Sequence, residues 1–232
     1  MRILVAVVLL GLAAPASAQE YRLPFDGRWF VLQGGDTLNV NQHMGVRAQW
    51  FGLDFGKVGG AGGKQLARGA ASKTEDYYSW GEPVRAPTGG EVIAVVNDQP
   101  DNPLGTRDAK HPAGNHVVIR TPSGGFVFLA HLRRDSAGVR VGQTVKPGDH
   151  LGLCGNSGNS DFPHVHMHVQ DTRDLNVGQG QNQTFADINV ELTGKRFSKV
   201  TWPLIRGLFV ENATAPNQAL QASYGRWRPP TR

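Results

Sequence analysis

Pro163-His164-Val165-His166-Met167-His168-Val169 is the stretch on which the reading of the whole chain turns. Written as a β-strand, it alternates faces with period two. His164, His166 and His168 then point one way, and Val165, Met167 and Val169 point into a core. Residues two apart on a strand lie about 6.6 Å apart along it. That spacing predicts no direct contact between neighbouring imidazoles, but it suits one metal ligand beside one catalytic group. A single histidine is commonly a satisfied core residue; three on one face call for a different explanation. Just upstream, Gly155-Asn156-Ser157-Gly158-Asn159-Ser160 is a run of turn-formers that ends the preceding strand.

Around this stretch the composition is that of a β protein. The 232 residues include 30 Gly and 14 Pro, which punctuate short runs rich in Val, Ile and Phe. No long segment shows a 3.6-residue apolar period. Strands are expected at 29–32, 51–55, 84–86, 91–96, 116–120, 126–132, 150–154 and 164–170, several of them joined by brief Gly/Pro/Asn turns. The expectation is mainly β: two packed antiparallel sheets with a groove, and long loop insertions at 56–79 and 97–115. The stretch 171–184 is rich in Gly and Gln and reads as a linker, after which apolar alternation returns at 188–192 and 208–210.

Residues 1–18 carry Arg2, an apolar run and a terminal Ala16-Ser17-Ala18. This pattern predicts a secretory signal peptide too short to span a bilayer, leaving an exported chain without a membrane anchor. The expected division is a signal peptide at 1–18, a catalytic domain at 19–170, a β-containing extension at 171–212 and a disordered tail at 213–232. The formal charge is +5, with the Lys and Arg scattered. Such a chain suits an anionic cell envelope, and no nucleic-acid partner is expected. Cys154 is the one cysteine, so no internal disulfide can form. In its apolar setting it reads as a buried thiol and not as a nucleophile. Ser157 and Ser160 lack a G-x-S-x-G context and read as turn residues.

Several blocks in order resemble one family. Gly81-Glu82-Pro83-Val84-Arg85-Ala86-Pro87 is followed by Gly114-Asn115-His116-Val117-Val118-Ile119 and Ala130-His131-Leu132. Then come Val141-Gly142-Gln143-Thr144-Val145-Lys146-Pro147-Gly148 and the run from Gly155 to His166. Together, over about 80–170, they resemble the lysostaphin/LytM-type zinc endopeptidases that cut peptidoglycan. The resemblance implies one zinc ion per chain, with His166 as a ligand and His164 and His131 as the catalytic imidazoles. It implies two further ligands from the N-terminal part, for which His43 and Asp54 are the candidates. These two are eleven residues apart, where the common family pattern has four. His168 stands where the family often has Glu, and so is a candidate to orient a ligand from behind.

Three other readings stand beside this one. In one, the three strand histidines themselves bind zinc, which leaves His43, Asp54 and His131 without a role. Relatives that have lost ligands act as non-catalytic wall-binding regulators, whereas here all five site positions are filled. A third possibility is a secreted peptidase acting on proteins. The expected substrate is a peptidoglycan peptide, the location periplasmic or extracellular, and the protein a monomer.

Overall fold

The computed structural model describes residues 19–213; the expected signal peptide and all but the first residue of the expected tail lie outside them. In chain order the strands are β1 (Glu20–Tyr21), β2 (Trp29–Gln33), β3 (Leu53–Lys57), β4 (Pro83–Arg85), β5 (Gly90–Val96), β6 (Asn115–Arg120) and β7 (Phe126–Leu132). There follow β8 (Thr144–Val145), β9 (His150–Leu153), β10 (Val165–Gln170), β11 (Thr184–Leu192), β12 (Lys195–Trp202) and β13 (Phe209–Asn212). The remaining regular structure is four short 3₁₀ turns, so the fold is mainly β among the described residues.

One large sheet runs β1-β11-β13-β2-β3-β10-β7-β6-β5-β8, with β12 on β11, and a small sheet pairs β4 with β9. All pairings are antiparallel except β1 with β11. The strands expected from sequence all form, within two residues at either end. β12 was not expected: Lys-Arg-Phe-Ser-Lys-Val-Thr-Trp is exposed along most of its length, so no half-buried alternation marks it.

Placement of β10 near the middle of the large sheet follows from its composition. Val165, Met167 and Val169 are fully buried and pack with Leu53, Phe55, Val127 and Leu129. Val84 and Leu151 of the small sheet join the same core, so the two sheets share one apolar layer. Burying a Leu, Val or Phe side chain contributes about 1.5–3 kcal/mol. This layer therefore fixes the register of β10, since a one-residue slip would send all three histidines inward.

Two stretches differ from expectation. Residues 171–184 are not a free linker: Gln181 N–H donates to the Val169 carbonyl at 2.7 Å and Asp171 N–H to the Gln179 carbonyl at 3.1 Å. Gly180 N–H reaches the Arg47 carbonyl at 2.8 Å, which ties this loop to the 42–50 segment. The 97–115 insertion is likewise fastened to the turn that precedes β10. Asp101 Oδ1 accepts from Asn156 N–H at 2.7 Å, and Asn102 Nδ2 donates to the Gly158 carbonyl at 2.6 Å. After 184, β11 and β13 continue the large sheet, and β13 pairs directly with β2.

Candidate metal centre and catalytic groove

On the face of β10 turned away from the core, antiparallel register sets Asp54 of β3 opposite His166, and His166 opposite Ala130 of β7. Side chains directly opposite on neighbouring strands share a face. His166 Nδ1 and Asp54 Oδ1 are accordingly 2.9 Å apart. His43 arrives from a 3₁₀ turn, Gln42–Gly45, capped by Asn41, whose Oδ1 accepts from His43 N–H at 3.1 Å. Asn41 is buried and ties its loop together by donating to the Gly35 and Gly52 carbonyls at 2.8 and 3.0 Å. Gly52 leaves room for the imidazole, since a Cβ there would lie 3.1 Å from His43 Cγ and 2.9 Å from the Gln49 carbonyl oxygen. The result places His43 Nε2 3.0 Å from Asp54 Oδ2, across the eleven-residue separation in sequence.

His43, Asp54 and His166 offer ligand atoms that all lie within 4.8 Å of one another. His43 Nε2 is close to the carboxylate but not aligned with it, so this buried nitrogen makes no hydrogen bond. A buried nitrogen without a partner is costly, and a cation shared by the three groups removes that cost. Two imidazoles and one carboxylate are also the donor set of a zinc site that keeps a position open for water. The residues present fit the metal.

His131 reaches the same groove by a different device. β6 and β7 pair Asn115 with Leu132 and Val117 with Leu129, so one residue of β6 faces Ala130 and His131 together. At this bulge His131 takes a left-handed backbone, φ 61°. Simple alternation after Val127 and Leu129 would send His131 into the core. The extra residue reverses the phase, so that Ala130 and His131 both face the groove while Leu132 returns to the core. Its Nδ1 lies 2.8 Å from the Ser157 carbonyl and so donates to it, which leaves Nε2 with its lone pair. His164 is oriented in the same way: its Nδ1 meets the Phe162 carbonyl at 2.9 Å and Ser160 Oγ at 3.2 Å. The two rings are 4.8 Å apart between centroids, and His164 Nε2 is 3.6 Å from Asp54 Oδ1.

Charge is distributed unevenly over these groups. Burial opposes ionisation of Asp54, but the neighbouring imidazoles of His43 and His164 hold its carboxyl well below the usual range. Burial pushes His131 well below its ordinary value, and neighbouring His164 and His166 add to this. His166 is also lowered, chiefly by burial. His164 feels the same burial, yet the nearby Asp54 carboxylate and the hydrogen bond to the Phe162 carbonyl lift it above the ordinary value.

The groove is about 520 Å³ in volume. Its walls come from three places: Gln42, Val46 and Gln49 on one side, Leu175 and Asn176 beside them, and Arg107, Pro112 and Phe162 opposite. Gln49 Nε2 donates to Asn176 Oδ1 at 2.8 Å, joining two of these walls. Arg107 Nε donates to Asp161 Oδ1 at 2.6 Å at the other rim.

All six residues singled out from sequence line this one groove. His168 is not separated from His166 as strand spacing predicted. The rings lean along the strand, and His166 Nε2 and His168 Nδ1 are 2.9 Å apart. Sequence reasoning missed Asn41, Gly52, Asp101 and Gln170. Gln170 carried a signal, because it continues the period-two polar face of 164, 166 and 168. His111 is exposed and pairs with Asp108, and the Cys154 thiol is pushed well up by burial, as an inert core thiol is.

Similar folds include a zinc-containing peptidase from Vibrio cholerae (23% identity, 65% of this chain and 36% of that one, TM-score 0.41). Others are the catalytic domain of the antimicrobial peptidase lysostaphin from Staphylococcus simulans (20%, 66% and 86%, 0.40) and the deep-sea M23 metalloprotease pseudoalterin (20%, 82% and 100%, 0.43). The chain thus spans about a third of the length of the Vibrio peptidase. Residues 74–181, which hold β7, the turn before β10 and β10 itself, match the model of peptidase family M23.

Proposed function

We propose that the protein is a zinc-dependent endopeptidase that hydrolyses peptide bonds in peptidoglycan cross-links or stems, outside the cytoplasmic membrane. The observation that carries the reading is the meeting of His43, Asp54 and His166 in a groove that also presents His131 and His164. His43 Nε2, Asp54 and His166 Nδ1 would hold the metal. When bound, zinc supplies a Lewis acid that acidifies water and polarises a carbonyl.

The chain's own residues supply the rest. Each of His131 and His164 gives its Nδ1 proton to a backbone carbonyl, so each aims a basic Nε2 away from its anchor. One of the pair accepts the proton of the attacking water at Nε2 and passes that proton to the leaving amine, while the other, in its protonated form, donates from Nε2 to the oxyanion. A substrate peptide would lie along the groove between the 42–49 wall and the Arg107–Phe162 wall. Peptidoglycan as the substrate is supported by the order of the sequence blocks and by the export pattern of residues 1–18.

The test is digestion of purified sacculi by protein prepared without chelator, with metal content measured by elemental analysis. About one zinc per chain and release of peptide fragments of defined mass are expected. A protein that digests sacculi equally well after complete removal of metal refutes the reading. Cleavage of soluble proteins with intact sacculi would transfer the same chemistry to a different substrate.

A further inference from the structure

His166, His168 and Gln170 lie in a row on one face of β10, and their exposures are 4%, 1% and 0%. The donors and acceptors in this row can be assigned one after another. Gln170 Nε2 is 2.8 Å from the Thr172 carbonyl and 2.7 Å from the Asp174 carbonyl. Both partners only accept, so this atom is the amide nitrogen, and Oε1 is the atom facing His168. Oε1 lies 3.1 Å from His168 Nε2, which must therefore carry the ring proton. In a neutral imidazole the other nitrogen then accepts, so His168 Nδ1 takes a proton from His166 Nε2 at 2.9 Å. That leaves His166 Nδ1 with a lone pair directed at Asp54 Oδ1, 2.9 Å away. Two acceptors facing each other at this distance repel, and a cation between the ligand groups turns the repulsion into binding.

From this sequence of assignments we infer that Gln170 is a positioning residue: acting through His168, it holds His166 in the tautomer whose Nδ1 can ligate metal. The need for it is specific to an imidazole at 168. A carboxylate there would accept from His166 unconditionally. An imidazole can present either a donor or an acceptor, and something beyond it must decide which. Gln170 is itself oriented by two carbonyls of the loop that carries Leu175 and Asn176 to the groove, so the wall of the groove and the state of the ligand are linked. His168 also stacks on Phe128, with centroids 4.6 Å apart and planes at 9°, which supplies a competing, purely packing role to be excluded.

The inference rests on the metal reading above, but its first test needs no metal. Nitrogen-15 NMR of histidine-labelled, metal-free full chain reports which ring nitrogen bears the proton. His166 and His168 are both expected as the Nε2–H form, and Gln170→Leu is expected to give a mixture for both. Zinc affinity, measured by competition with a chromophoric chelator, should fall about 10–100-fold in Gln170→Leu, as for other partners behind a metal ligand. His168→Asn keeps an acceptor oxygen near the place of Nδ1 and should bind zinc within about threefold of the parent protein. His168→Phe keeps the ring stacked on Phe128 without the acceptor, and should lose affinity as Gln170→Leu does. The reverse order, with Phe tolerated and Asn damaging, would show a packing role and overturn the proposal. So would His166 found as the Nδ1–H form in the parent protein, or an unchanged tautomer and affinity in Gln170→Leu. A parent protein that takes up no zinc while His166 is Nε2–H would sink the metal reading and leave the relay standing.

Discussion

Replacing Asp101 by Ala should disable the groove without touching any group in it. Asp101 Oδ1 accepts from Asn156 N–H at 2.7 Å, and Oδ2 from Arg134 N–H at 3.0 Å. Asn156 is wholly buried, so its amide has no water to turn to once the carboxylate is gone, whereas Arg134 is exposed and water can replace the second bond. Loss of one hydrogen bond to an ionised group, with a buried amide left unpaired, costs about 2–3 kcal/mol. The same turn holds Ser157, whose carbonyl fixes the His131 ring at 2.8 Å. A displacement of about 1 Å at a catalytic group can cost on the order of 100-fold in turnover. Asp101→Ala is therefore expected to lose about 2 kcal/mol in denaturant unfolding and at least about tenfold in hydrolysis. Zinc content should be unchanged, because His43, Asp54 and His166 hang on other segments. A variant within about 0.5 kcal/mol of the parent protein in stability and equal to it in turnover would refute the idea that the 97–115 insertion braces the catalytic turn.

Four further outcomes are expected. His131→Ala and His164→Ala should each keep zinc by elemental analysis and lose about 10²–10⁴-fold in turnover, as general acid–base groups do; loss of zinc in both would show that they are ligands. His131→Gly should be more stable than His131→Ala by about 1 kcal/mol in denaturant unfolding, since only glycine accepts the left-handed backbone at 131 without strain. Gly52→Ala should weaken zinc binding in chelator competition, because the new methyl group presses on the His43 ring; unchanged affinity would mean that the 42–52 loop yields freely. Metal-free protein should lose stability on acidification below about pH 6.5, read by urea unfolding at several pH values. Burial depresses His116, His131, His150, His166 and His168 in the folded state. The unfolded chain then binds more protons between about 6.5 and those lowered values, so their contribution is full above 6.5 and is lost as pH falls through them. His164, which is raised, acts with the opposite sign: its contribution is present below 6.5 and lost as pH rises through its folded value. Stability that is flat or rising on acidification would mean that His164 outweighs the other five.

Most of the fold was legible because its strands are short, half-buried and punctuated by turn-formers. Period two is visible in Val165, Met167 and Val169 because one face of β10 is packed and the other is polar. The same signal fails where packing fails: β12 contributes a strand whose residues are largely solvated on both sides, so nothing in its order of side chains distinguishes it from a loop. It also fails where tertiary ties give an apparent linker its shape. Residues 171–184 look unstructured in sequence because their order comes from bonds to Val169 and Arg47, outside the segment.

The site divides along the same physical line. His164, His166 and His168 could be placed on one face from alternation alone, and antiparallel pairing then brought Asp54 opposite His166. His131 could not be placed that way. Alternation through Val127 and Leu129 assigns it to the core, and only the resemblance of Ala130-His131-Leu132 to a family block pointed to the groove. The bulge that reconciles the two is invisible in the strand itself, because neither Gly nor Asn marks the left-handed position. A histidine carries that backbone at a cost of about 1–3 kcal/mol, which a merely structural strand would shed by placing Gly there. The strain is retained because a glycine has no imidazole, and a regular strand would aim the ring at Leu129 instead of His164. The position that sequence periodicity misreads is thus the one where local preference and the geometry of the groove conflict, and there the groove prevails.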